Sequence, residues 1–190
     1  MARPVIVENY DQFEPPGHFR GILEELLDSI PPSYLVGLRT IVLTNRSALT
    51  SDQRRQKTWS RNHMVRLADA RGWYRAANRT APASIYLCVD NILQSEQPGN
   101  HRIPVIRYDA LGTVLFHEVG HHIHKVHKPE FRQRETVAED WSKKLFLRFL
   151  RLHYWYLMPL LYPVSLYHQL SRLFRRKHEQ RSIPVQEYKG

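Results

Sequence analysis

The chain has 190 residues, with 28 Lys and Arg against 18 Asp and Glu and a formal net charge of +10. That length suits one domain with a substantial core, and neither an internal repeat nor a long Gly/Ser linker divides it. The single Cys88 excludes an intramolecular disulfide and offers no cysteine-based metal motif, and the opening MARPVIVENYDQFEPPG lacks a charged-then-apolar signal pattern, so the reducing cytoplasm is the expected location.

Residues 17–30 follow a Pro-Pro pair and place Phe19, Ile22, Leu23, Leu26, Leu27 and Ile30 at helical intervals, which predicts an amphipathic helix. Tyr34 to Thr44 (YLVGLRTIVLT) is rich in β-formers and predicts a strand. The polar, basic stretch NRSALTSDQRRQKTWSRNH reads as a loop with a short helix. A short strand near Gly72–Ala76 and a stronger one at Ser84–Val89 come next, and Arg102–Arg107 reads as extended, with Pro104 keeping it out of a sheet centre. Asp109 then suits the N-cap of a helix whose Leu111, Leu115, Val119, Ile123 and Val126 form one apolar stripe. The run RQRETVAEDWSKKLFLRFL predicts another helix, with Ala138, Trp141, Leu145, Phe149 and Leu152 as its stripe. From Leu152 to Leu170 no residue is formally charged, yet two prolines and five aromatics make this a poor membrane span. It reads as a broken helical hairpin packed on the core, the other reading being a segment lying at headgroup depth. The expected architecture is α+β, with residues 1–150 as the main domain and 151–190 as a helical, aromatic and basic extension packed on it.

The chemistry is concentrated in VLFHEVGHHIHK, where His117 and His121 sit four residues apart. On a helix that spacing stacks the two imidazoles, so both reach one metal ion. Glu118 projects about 100° further round and can hydrogen-bond a water on the metal without being a ligand, which is the HExxH arrangement of zinc hydrolases. His117, His121 and His124 fall nearly opposite the apolar stripe; the plain alternative is a histidine-rich solvated face. Two histidines need a third protein ligand. Glu135 and Glu139 are four apart on the next helix, and the small Ala138 permits close helix approach. One carboxylate can ligate the metal while the other holds a ligand imidazole by its second nitrogen; both are also ordinary acids for a helix N-terminus.

With these residues in place, the chain resembles the gluzincin class of zinc metallopeptidases, whose HExxH is followed by a helical ExxA[DE]. Glu135-Thr136-Val137-Ala138-Glu139 matches in order, with Glu last where Asp is commoner. The resemblance implies that His117, His121 and Glu135 hold Zn2+, that Glu118 is the catalytic base, and that Glu139 supports a ligand. The order of elements over roughly residues 35–150 also resembles the small ImmA/IrrE-type and SprT-like metallopeptidases. It implies a minimal zincin fold, with a small twisted sheet against the active-site helix and the glutamate helix. A rival ligand set takes His127, at the eleventh position from His117, with Met158 as a supporting methionine turn. The metzincin pattern needs Gly where this chain has His124, and leaves Glu135 without a role. His122, His124 and His127 are therefore expected at the surface or beside the ligands.

Zinc held by two His and one Glu keeps a position open and lowers the pKa of its bound water toward neutrality. Glu118 would take a proton from that water as it attacks a carbonyl, then deliver it to the leaving amine. The expected function is zinc-dependent hydrolysis of peptide bonds in a protein substrate, which adds to the edge of Ser84–Val89 as an extra strand. His153, Tyr154 and Tyr156 are candidates by position for a second oxyanion donor, or packing residues. The positive charge between Arg46 and Arg79 and in the tail favours an anionic partner, whether DNA, anionic lipid or acidic protein. Arg54, Arg55, Lys57, Trp59 and Arg61 interleave phosphate-binding and stacking types. The competing function is a non-catalytic zinc-stabilised binding or sensing module with a basic DNA- or membrane-contacting surface.

Overall fold

Short apolar runs separated by turn residues build the sheet that carries the site. The computed structural model describes residues 3–60, 63–94, 104–127 and 134–157. Strands β1 (Val5–Asn9), β2 (Leu38–Thr44) and β6 (Ala83–Cys88) are parallel, while β5 (Gly72–Arg75) runs antiparallel to β6, giving the order β1-β2-β6-β5. In β6 every residue but Tyr86 is buried, as a central strand covered on both faces requires. Ile41 and Leu43 of β2 pair in register with Ile85 and Leu87 of β6, and all four are buried. Between β2 and β5 lie a short helix α2 (Ser51–Arg55) and a separate hairpin of β3 (Lys57–Ser60) and β4 (His63–Arg66). Thr50 starts α2 with a capping box closed by Gln53.

Helix α1 (Phe19–Asp28) buries Phe19, Ile22, Leu23, Leu26 and Leu27, the residues its periodicity singles out. A 3-10 turn (Pro32–Leu35) leads to Gly37, whose φ of 87° is open to glycine at little cost. Strand β2 therefore begins four residues later than the apolar run that predicts it. Helix α3 (Val89–Gln94) follows β6 directly, and Asn91 fixes it to the Ala68 and Ala70 carbonyls at 2.9 and 2.8 Å. The long helices are α4 (Pro104–His127) and α5 (Arg134–His153).

The extended reading of Arg102–Arg107 is overturned from residue 104 onward. Pro104 opens α4, at a position where its missing N–H costs nothing because the first turn has no acceptor. Asp109 is consequently not an N-cap but lies inside α4, where it accepts from the Thr113 hydroxyl one turn on at 3.4 Å. The stripes hold through the helix centres: Leu111, Leu115, Val119 and Ile123 are buried on α4, as are Ala138, Leu145 and Phe149 on α5. They fray at the ends, where Val126 and Leu152 are exposed.

With five α-helices and a small mixed sheet among the described residues, the protein is mixed α and β. It separates into two units, residues 1–149 and 150–190. The described part of the second comprises the end of α5 and a 3-10 turn (Trp155–Leu157); the Tyr154 N–H donates to the Leu150 carbonyl at 2.8 Å. Met158 and most of the uncharged run to Leu170 lie outside the described residues, as do the basic positions from 172 to 177. No described helix is long and apolar enough to cross a membrane.

Candidate metal centre

Helix α4 places His117 and His121 on successive turns, their rings crossing at 86° with Nε2 atoms 3.2 Å apart. Glu135, in the first turn of α5, sets Oε2 3.4 Å from His117 Nε2 and Oε1 3.5 Å from His121 Nε2. A tetrahedral ion with ligands at about 2.05 Å separates neighbouring ligand atoms by roughly 3.3 Å. The Nε2 pair lies close to that edge length, each nitrogen faces a different Glu135 oxygen, and one ligand atom from each of the three residues falls within 4.8 Å of the other two. Two imidazoles and a carboxylate are also the donor types such an ion takes. This is the one group of three candidate ligands that converges among the described residues, and it could hold a metal ion.

The approach of the two helices is set by their smallest residues. A Cβ at Gly120 would stand 2.6 Å from the Ala138 carbonyl oxygen and 2.8 Å from its Cα, so α4 and α5 touch backbone to backbone there. That contact places the start of α5 over the exposed side of the histidine pair. His127 is different. Helix α4 continues unbroken through His124 to His127, so ten residues of rise, about 15 Å, separate it from His117 along the axis. A single ion does not bridge that distance.

Glu118 lies beside the cluster and is only 6% exposed. Its burial, and after that the nearby Glu135 charge, push its carboxyl up to about 8, while a hydrogen bond from the Tyr74 N–H pulls the other way. Gly72 makes room for this: a Cβ there would meet Val114 Cγ1 at 2.6 Å and Glu118 Cγ at 3.4 Å. A cleft of about 550 Å³ opens here, lined by His117, Glu118 and Glu135 and edged by Arg71, Glu139 and Lys143. Glu139 is 64% exposed at its side chain and pairs with Lys143 at 3.1 Å.

Three readings change with the fold. The Ser84–Val89 strand has no free edge, since β6 is paired with β2 on one side and β5 on the other. The strand that borders the cleft is β5. His122 and His124 are not surface residues but are 1% and 4% exposed. His122 hydrogen-bonds the Tyr74 hydroxyl and the Val36 carbonyl, whereas His124 Nε2 has no hydrogen-bond partner among the described residues. Of the basic run, Arg54 is spent on the Leu49 and Ser47 carbonyls at 2.9 and 2.7 Å, while Arg55 and Lys57 are exposed. The Trp59 side chain and residue 61 lie outside the described part. His153, Tyr154 and Tyr156 belong to the second unit, with the two tyrosine rings 6.2 Å apart. Tyr74 is the site neighbour that the sequence did not reveal, while His122, expected at the surface or beside the ligands, proves to be buried.

No protein-family description, no curated protein and no solved structure matches this chain.

Proposed function

We propose that this protein is a zinc-dependent metallopeptidase of minimal zincin type, acting on a protein or peptide substrate. The observation that carries the reading is the triangle of His117, His121 and Glu135, with the buried Glu118 carboxyl beside it. Zinc, when bound, polarises the scissile carbonyl and acidifies the water next to it. Glu118 accepts a proton from the attacking water as the new C–O bond forms. It returns that proton to the amine nitrogen as the C–N bond breaks. The burial that favours the protonated carboxyl helps Glu118 to hold the proton between the two halves of this exchange. The substrate lies along the cleft beside β5, where α4 and the strand leave a groove. Glu139, on the rim, has the supporting role toward a ligand imidazole.

The test pairs elemental analysis with hydrolysis of a peptide library. Wild type is expected to carry one zinc per chain, lost or much weakened in Glu135→Ala. It should also cleave peptides that a folded, zinc-loaded Glu118→Gln protein leaves intact. Full retention of zinc by Glu135→Ala, or equal cleavage by Glu118→Gln, would refute the assignment. A zinc-loaded wild type that cleaves nothing, in a cell that tolerates Glu118→Gln but not His121→Ala, would establish the non-catalytic zinc module instead. The exposed Arg55, Lys57 and Arg66 on α2 and the hairpin supply the basic surface for an anionic partner. Salt-sensitive sedimentation with DNA or anionic vesicles, unaffected by chelation, would identify that contact as separate from the metal.

A further inference from the structure

His122 directly follows the second histidine of the metal pair, and the hydrolytic reading gives it no task. It is nevertheless among the most thoroughly packed polar residues of the chain. Its Nε2 lies 3.0 Å from the Val36 carbonyl oxygen, which can only accept, so Nε2 carries the proton. Nδ1 is then the acceptor, and it takes the Tyr74 hydroxyl at 3.2 Å. The Tyr74 ring meets the imidazole edge-on, at 65° with centroids 5.5 Å apart. One side chain thus ties α4 to the turn before β2 and to the edge strand β5.

Strand β5 meets α4 at two points. The Tyr74 hydroxyl is held by His122, and two residues earlier a Cβ on Gly72 would stand 3.4 Å from Glu118 Cγ. Residues 118 and 122 stand about one turn apart on the same face of α4, about 6 Å along the axis. Strand β5 is therefore seated on consecutive turns of the helix, by the Tyr74 side chain at one and the close approach of Gly72 at the other. Because successive strand residues point to opposite faces, a slip by one position would break the Tyr74–His122 bond and bring a side chain into the space that Gly72 leaves. Strand β5 needs such a pin: it is four residues long and, among the described residues, hydrogen-bonded to a neighbouring strand on one side only.

We propose that His122 and Tyr74 are positioning residues, which clamp edge strand β5 onto α4 and so hold the strand against the Glu118 side chain. The clamp itself stands on geometry; its catalytic consequence rests on Glu118 being the base. Loss of the Tyr74 hydroxyl leaves the ring, the backbone and the metal ligands in place but frees the strand to move off the helix.

The test is amide hydrogen exchange of the full chain by NMR, zinc-loaded and metal-free, in wild type and Tyr74→Phe. Exchange at residue 74 is expected to rise about 5- to 10-fold, the effect of losing one hydrogen bond, while Ile41 and Ile85 keep wild-type protection. On a cleaved peptide, kcat should fall by a similar factor with KM and zinc content unchanged. His122→Phe strips both bonds and can fail to fold, so Tyr74→Phe is the deciding variant. Unchanged exchange at residue 74, or a rise shared equally by Ile41 and Ile85, would overturn the clamp. Local loosening with an unaltered kcat would overturn the positioning of Glu118. If wild type cleaves no peptide at all, the metallopeptidase reading fails while the exchange data still decide the clamp.

Discussion

The two helices that build the candidate metal centre bury their titratable residues to different depths. On α4, Glu118, His122 and His124 are buried along with the apolar stripe. On α5, Glu139, Lys143 and Lys144 face solvent, and Glu135 is the acid turned toward the histidines. Buried polar groups are costly unless paired, so their concentration on α4 is what sets that helix apart as the candidate site. Exposed charges on α5 carry no such message. Chemical type alone, glutamate for glutamate, does not distinguish Glu135 from Glu139; packing does.

The contrast is most sharply tested by taking away the metal. Zinc at a hundred times its Kd should stabilise the folded protein by about 2.7 kcal/mol. Chelation is expected to remove that increment and all hydrolysis, and Glu135→Ala should show no zinc-dependent rise in Tm. An equal rise in the variant would place the third ligand elsewhere. Next in size is Gly120→Ala, where the added methyl meets Ala138 backbone rather than a movable side chain. It should cost about 1–3 kcal/mol by denaturant unfolding and weaken zinc binding, because α5 must withdraw. Gly21, with nothing within 4 Å of the same added atom, is the control, and Gly21→Ala there is expected to be neutral or stabilising.

Cys88 offers a smaller, pH-resolved check on burial. Its packing, and then its hydrogen bond to Asp90, push the thiol far above the ordinary range. The reactive thiolate is the form that burial disfavours, so raising the pH from 7 to 9 should leave labelling of the folded protein slow. Rapid alkylation before unfolding would show that the sheet opens at β6. Smallest of all is Glu139→Gln, which removes an exposed ion pair with Lys143 and should change stability by no more than about 0.5 kcal/mol. Zinc titration of the same variant reads its other role: a roughly 10-fold loss of affinity is expected if Glu139 supports an imidazole.

The metal triangle was legible in the sequence because its spacing is local: His117 and His121 are four apart, and Glu135 sits in a recognisable frame with Ala138. Helices α1, α4 and α5 declare themselves by period. The clamp was not legible. Tyr74 is 48 residues from His122 and Val36 is 86, and a periodicity argument assigns any histidine off the apolar stripe to solvent. Strand β1 and the β3–β4 hairpin escaped notice for a related reason. Both are short, and β1 is mostly exposed, so neither leaves an alternating apolar trace. The free edge was misplaced because β6 carries the strongest strand signal, and a strong apolar signal belongs to the centre of a sheet.

Gly72 leaves one wall of the cleft made of peptide rather than side chain. A wall of that kind offers the same groups to every polypeptide, and point mutation can scarcely retune it: even a methyl at Gly72 would run into Val114. On the proposed peptidase reading, discrimination between substrates falls to the charged side chains that edge the cleft, Arg71 beside the glycine and Glu139 and Lys143 on α5. The glycine would therefore stay fixed while those edge residues are free to vary their charges.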